Sequence, residues 1–286
     1  MSSLQDPWQQ CLVALFCSLD DFCHHHPVAP LAPGKRRRAR SLSDSEIMTV
    51  LVAFHQSQYR CFKAFYLGYV CRHLKPEFPK LVSYHRFIEW VPSVIDQLQN
   101  YLTSLFGTSG GVCFLDSTPL AVCHNKRIAQ HKVFKEQAQR GKTSVGWFYG
   151  FKLHLVINHE GELLAAKLTQ GNVHDTKPAY NLLAPLSGTV YADKGYLSHF
   201  LKEQLGQVGV SLVTKVKKNM APQELSDEDE LFLGKRSLIE TVIDQLKNQS
   251  QAQHTRHRAH TGFQSNLLCA LIAYCHQAKK PSIDLA

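Results

Sequence analysis

Apolar positions along this chain follow two periods. In the first third they recur at helical spacing: Ile47, Val50, Leu51 and Phe54 stand at i, i+3, i+4 and i+7, behind Ser43 and Glu46 in a capping-box arrangement. Helical patterning continues over 62–71 and 84–106, with a break near Pro92. After Gly110-Gly111 the pattern changes to short strand-like runs. An apolar run over 112–115 ends in Asp116. Residues 148–157 are rich in aromatic and branched side chains, and a turn at 158–161 leads into 163–168, which predicts a hairpin. A helix over 176–186 follows, then a strand over 189–192 ending in Asp193, a helix over 198–205, a strand over 210–216 and a helix over 235–248 carrying Glu240. This order predicts a mixed α/β sheet with flanking helices over 108–286, preceded by a smaller all-α domain over 1–107. No repeat punctuates the chain.

Composition narrows the classes. The chain has 286 residues, 44% of them hydrophobic, enough to bury a sizeable core. Lys and Arg total 32 against 23 Asp and Glu, a formal charge of +9 that favours acidic partners, nucleic acid first. The nine cysteines include no Cys-x-x-Cys pair, so neither a disulfide framework nor a zinc ribbon is indicated, and a reducing cytoplasm fits best. Cys23 followed by His24, His25 and His26 lacks a spaced second pair of ligands. No secretory leader stands at Met1–Trp8, and no apolar run approaches the ~18 residues needed to span a bilayer.

Two strands that end in aspartate converge on one sheet edge, where ligands of α/β proteins bind. Asp116 and Asp193 thus face a common edge, and close carboxylates stay ionised only beside a cation. A nearby Glu240 completes a set of hard oxygen donors suited to two Mg²⁺ ions, for which Mn²⁺ can substitute, and to phosphoryl transfer. Either aspartate alone reads better as a turn or cap residue. On the Glu240 helix, Ile239, Val242, Ile243 and Leu246 form an apolar stripe, while Arg236, Glu240, Asp244 and Lys247 share the opposite face within about 80°.

These residues carry a resemblance. Phe-Leu-Asp-Ser-Thr-Pro-Leu around Asp116, Gly-Asn-Val-His-Asp at 171–175, Ala-Asp-Lys-Gly-Tyr around Asp193 and Ile-Glu-Thr-Val-Ile-Asp-Gln-Leu-Lys at 239–247 are similar to DDE transposases of bacterial insertion sequences. The insertion-sequence 982 family is the nearest in wording, echoed also in Phe-His-Gln-Ser at 54–57, Phe-Lys-Ala-Phe-Tyr at 62–66 and Ser-Tyr-His-Arg-Phe at 83–87. In such enzymes the third carboxylate lies in Tyr-x2-Arg-x3-Glu-x6-Lys; Arg236, Glu240 and Lys247 match that spacing, while Leu233 stands at the tyrosine position. The resemblance implies a ribonuclease H-like fold, with Asp116, Asp193 and Glu240 as catalytic metal ligands. It also implies a cytoplasmic bacterial enzyme, associated with the nucleoid when on DNA, that cleaves element ends and joins them to target DNA. A homodimer on DNA is expected because two ends need two active sites.

Further residues are candidates for contact with DNA. Arg236, Lys247 and Lys194 flank the carboxylates, and Arg36, Arg37 and Arg38 belong to a basic run ahead of the Ser43 cap. Between His124 and Lys152 the bases Lys126, Arg127, Lys132, Lys135, Arg140, Lys142 and Lys152 face one acid, Glu136. This strip ends in Trp147-Phe148-Tyr149, which reads either as core entering a strand or as a base-stacking surface. A second basic stretch spans 254–260, and the acidic run Asp227–Glu230 is expected to be a solvated loop. His174 and Asp175 are possible accessory residues, orienting a water or phosphate, or else merely caps of the following helix. The competing functional readings are a DNA-binding relic without catalysis and another metal-dependent nuclease.

Overall fold

A computed structural model describes residues 7–27, 39–216, 220, 224–253 and 257–285. Arg36, Arg37 and Arg38, and positions 254–256 of the second basic stretch, lie outside the described residues. The chain divides into two compact units.

In unit 1, residues 1–104, 249–252 and 259–276, every described element is helical: α1 (Pro7–His25), α2 (Asp44–Gln56), α3 (Phe62–Phe65), a π-helical turn (Tyr66–Val70), α4 (Cys71–His73), α5 (Tyr84–Trp90), α6 (Ile95–Ser104) and, far along the chain, α11 (His260–Cys275). The capping box forms: the Glu46 amide donates to Ser43 Oγ at 3.1 Å, and the Ser43 amide to Glu46 Oε2 at 2.6 Å. A 3₁₀ turn at Val91–Val94 marks the break at Pro92. The apolar stripe of α2 understates its burial, because Met48, Thr49, Val52 and Ala53 are buried as well. Both α1 and α11 pack on this helix, so little of it meets solvent. The sequence division at 107 had left 260–275 in the second domain. Burial of Phe263, Leu267, Cys269, Leu271, Ile272 and Tyr274 sends that helix back to α2 and α6. Tyr101 anchors the arrangement, with Ser18 Oγ and His276 Nε2 each 2.7 Å from its hydroxyl.

Unit 2, residues 105–248, 253–258 and 277–286, is built on a six-stranded mixed sheet. Its strands are β1 (Val112–Cys123), β2 (Gln139–Thr143), β3 (Gly146–Asn158), β4 (Leu163–Gln170), β5 (Gly188–Ala192) and β6 (Val210–Thr214). The helices are α7 (Thr176–Leu183), α8 (His199–Gln207), α9 (Asp227–Lys235) and α10 (Ser237–Asn248). Antiparallel β3 joins β1 on one edge, and its other edge is shared, β2 pairing with Gly146–Gly150 and β4 with Phe151–Ile157. Beyond β1 the sheet continues with parallel β5 and β6. At Gly150, where β2 gives way to β4, a Cβ would collide with the Leu120 carbonyl oxygen, so only glycine allows this approach of β3 to β1.

Alternation along β1 separates the two faces of the sheet. Cys113 and Leu115 join Ala179, Leu183, Leu201 and Leu205 of α7 and α8 in one core. Phe114 faces the other way, where its ring lies 6.0 Å from Tyr191, itself 5.3 Å from Phe232 of α9, and where α10 packs on β1.

Three expectations change. The 112–115 run is only the start of a strand that continues through Asp116 to Cys123. Beyond Leu115 this strand has no pairing with β5, so Pro119 can lack an amide proton on that edge. Residues 139–143, expected only as part of a basic strip, form β2. The acidic run is the first turn of α9 instead of a loop, because Ser226 Oγ accepts from the Asp229 amide at 3.1 Å and four acids suit the positive end of a helix. The helix expected over 235–248 is α10, and the separate α9 ahead of it, ending at the Arg236 junction, puts Leu233 and Glu240 on different helices.

Candidate active site

Asp116 lies inside β1 and points, like Phe114, toward the α9/α10 face, since strand alternation gives both the same parity. Asp193 follows the last residue of β5, and Ala192 is separated from Asp116 by one step of the ladder, because Leu115 pairs with Ala192. Glu240 stands in the first turn of α10, the helix that packs on β1. Three distant stretches thereby meet at one sheet edge.

Arg236 ties the edge together. Its Nη1 donates to Asp116 Oδ2 at 3.1 Å and its Nη2 to Glu240 Oε1 at 2.8 Å. Asp116 Oδ1 accepts from the Ser117 amide at 2.7 Å. Burial pushes the Asp116 carboxyl up to about 6, and the Asp193 and Glu240 charges add to this, while the Ser117 amide and Arg236 oppose it. Asp116 therefore senses both other carboxylates.

The donor chemistry suits a hard divalent cation, being carboxylate oxygen throughout. Among the described residues, however, no three His, Cys, Asp or Glu side chains are drawn together into a metal-holding group. The cation that lies across Asp116 and Glu240 is the guanidinium of Arg236.

The reverse face of β1 holds a second polar network. Ser117 points to it, its Oγ donating to Asp175 Oδ1 at 3.1 Å. Lys152 Nζ donates to the same oxygen at 3.0 Å and to the Val173 carbonyl at 2.9 Å. Deeper, fully buried His154 has Nδ1 3.3 Å from the Tyr196 hydroxyl and Nε2 2.9 Å from Thr169 Oγ1. Burial pushes its imidazole down to about 4, so the ring is neutral. Asp175 precedes α7 but makes no side-chain cap, whereas His174 does act locally, with Nδ1 2.8 Å from Thr176 Oγ1. Sequence reasoning missed Ser117, His154 and Tyr196, and placed Lys152 in the basic strip instead of in this network. The available signal was Lys152 and His154, two polar residues of one parity inside an otherwise apolar strand.

Among the predicted DNA contacts, Lys194 is exposed beside Asp193 and Lys126 and Arg127 are exposed on a 3₁₀ turn over Asn125–Gln130. Lys247 is half-buried, its Nζ donating to the Pro119 carbonyl at 2.9 Å, and burial lowers its pKa. Lys152 leaves the basic strip, since Asp175 neutralises it.

A family model described as a transposase DDE domain matches residues 106–260, more than half of the chain. The chain belongs to that family. Comparison with curated proteins gave no match. The fold of this DDE protein is similar to that of the piggyBac transposase, in a solved synaptic complex with hairpin DNA, at 10% identity and a TM-score of 0.50, covering 93% of this chain and 73% of that one. No described helix of the DDE protein is long and apolar enough to cross a membrane.

Proposed function

We propose that this DDE protein is an insertion-sequence transposase of the insertion-sequence 982 type, with a ribonuclease H-like catalytic domain, that cleaves element ends and joins them to target DNA. The observation that carries the reading is the Arg236 bridge between Asp116 and Glu240, beside the end of β5 where Asp193 follows. A relic freed from catalysis has no use for a half-buried carboxylate held against two like charges.

Asp116, Asp193 and Glu240 would hold Mg²⁺, or Mn²⁺ in its place. Two such ions supply an activated water or 3′ hydroxyl nucleophile and stabilise the departing oxygen. The chain's own groups do the remaining work. Arg236 keeps Asp116 and Glu240 close despite their charge, and its planar fork also matches phosphate oxygens. Lys194 is placed to meet a phosphate beside Asp193. The Ser117 amide fixes the rotamer of Asp116. A homodimer on DNA would bring two such edges to two element ends.

The test is cleavage of an element-end duplex in Mg²⁺ by Asp116→Asn, Asp193→Asn and Glu240→Gln, with DNA binding measured in parallel. Each variant is expected to lose cleavage while still binding. A variant that keeps near-wild-type cleavage removes its residue from the ligand set, and retention by all three sinks the reading.

A further inference from the structure

We propose that the β2–β3 hairpin is a DNA-binding arm whose Trp147 stacks on an unpaired base, with Arg140 and Lys142 on the flanking phosphates. The ribbon formed by β1, β3 and β2 continues past the carboxylate edge: β1 leaves β5 at Leu115 but stays paired with β3 as far as Cys123 and Tyr149. Two residues, Ser144 and Val145, turn the hairpin at its end, and Val145 is 97% exposed.

Exposure sorts the aromatic cluster. Phe148 and Tyr149 are buried, whereas Trp147, at 54% exposure, leaves its ring in solvent. On the ladder Lys142 pairs with Trp147 and Arg140 with Tyr149, so both cations share the face of the indole. They lie 5.5 Å (Arg140) and 5.7 Å (Lys142) from the ring centroid. An exposed ring flanked by cations is the arrangement single-strand binders use, the ring taking a base and the charges its phosphates. The backbone that carries the ring is held as well, because Asn125 Nδ2 donates to the Trp147 carbonyl at 2.6 Å and ties the hairpin to the turn bearing Lys126 and Arg127.

Charge decides the occupant. Between Glu136 and Glu160 the chain has no acidic residue, and Arg140, Lys142, Lys126 and Arg127 are all exposed, a surface that fits a polyanion. Reach sets where on the DNA this happens. Trp147 precedes Leu155, the β3 partner of Asp116, by eight residues. At ~3.3 Å per strand residue that is about 26 Å from the carboxylates, or roughly seven to eight nucleotide steps of ~3.4 Å. The hairpin therefore grips DNA away from the cleaved phosphate.

DNA as the occupant rests on the transposase reading, but the binding itself does not involve the carboxylates. The test uses the full chain in EDTA, with fluorescein-labelled oligothymidylate as one probe and a fully paired duplex of mixed sequence as the other. Trp147→Ala is expected to weaken oligothymidylate binding about tenfold and duplex binding by less than about twofold, with Trp147→Phe retaining most of the affinity. Removing Arg140 and Lys142 together is expected to flatten the salt dependence of oligothymidylate binding by about 0.7 per charge. Melting temperatures within error of wild type establish that the exposed substitutions leave the fold intact. Binding of oligothymidylate unchanged by Trp147→Ala, or an equal loss on both probes, overturns the stacking assignment alone. Failure of the wild-type chain to bind either probe overturns the DNA reading with it.

Discussion

Arg236 and Asp116, 120 residues apart, are joined by a hydrogen bond of 3.1 Å that brings the helical junction before α10 onto the first strand of the sheet. The same guanidinium holds Glu240 at 2.8 Å. Two like charges are thus kept together by a side chain of the protein itself, at a stability cost that sits mainly in burial of Asp116.

That cost makes stability and catalysis move in opposite directions for Asp116→Asn. Its carboxyl is held at about 6, above the ordinary 3.8, so above pH 6 the ionised form disfavours folding. In EDTA near pH 7.5 the variant is expected to be more stable by on the order of 1–3 kcal/mol, while cleavage is lost. Urea unfolding at that pH checks the first half. A variant less stable than wild type would show that Arg236 outweighs burial.

Arg236→Ala removes the shared cation. The expected loss in EDTA is about 1 kcal/mol, modest because Glu240 is 56% exposed and solvent screens its half of the interaction. Arg236→Lys is expected to recover little, since a single ammonium does not span two carboxylates as a planar fork does. Thermal melts with and without Mg²⁺ separate the roles: added Mg²⁺ should raise the melting temperature more in Arg236→Ala than in wild type. Equal shifts would argue against competition for one site.

Lys152 and Asp175 form a pair with side-chain exposures of only 12% and 24%. Lys152→Met leaves Asp175 with Ser117 alone and is expected to cost about 3 kcal/mol, whereas the double variant with Asp175→Asn should regain part of it. Because Ser117 and Asp116 point to opposite faces of β1, Asp175→Asn should slow cleavage less than Asp116→Asn. A double-mutant cycle read by urea unfolding tests the coupling; additive losses would mean that the two do not interact.

His154 sets a pH dependence of known sign. Its folded value of about 4 lies below the ~6.5 of an unfolded chain, so the unfolded state binds more protons between those values. Stability from this group is complete above about pH 6.5 and is lost as pH falls toward 4, by on the order of 3 kcal/mol. Asp116 acts in the opposite sense between about 6 and 3.8, so the two must be separated by mutation. His154→Gln is expected to flatten the acid limb of the stability profile relative to wild type, whatever its stability at pH 8. Parallel limbs in the two proteins would exclude His154 as the source.

Periodicity and short motifs determined a good deal of this protein by themselves. The Ser43 cap, the strands before Asp193 and in the 163–168 hairpin and the apolar stripe of α10 were all legible, because each depends on neighbours within a turn or a strand. The pairing partners were not. That β1 runs on through Asp116 and Pro119 depends on β3 lying alongside it, and that α11 leaves the second unit for the first depends on an apolar surface more than 150 residues earlier in the chain. Trp147, Phe148 and Tyr149 read alike as a sequence; Trp147 and Tyr149 share one face of the strand, and only the cover that residues 131–134 give Tyr149 makes one exposed and the other buried. Asp175 likewise looked like a cap, and became a partner of Lys152 and Ser117 once β3 and β1 were side by side. Local patterns fix what a segment can be, whereas long-range packing chooses which face meets which, since burial and charge pairing are settled by whatever arrives from elsewhere in the chain.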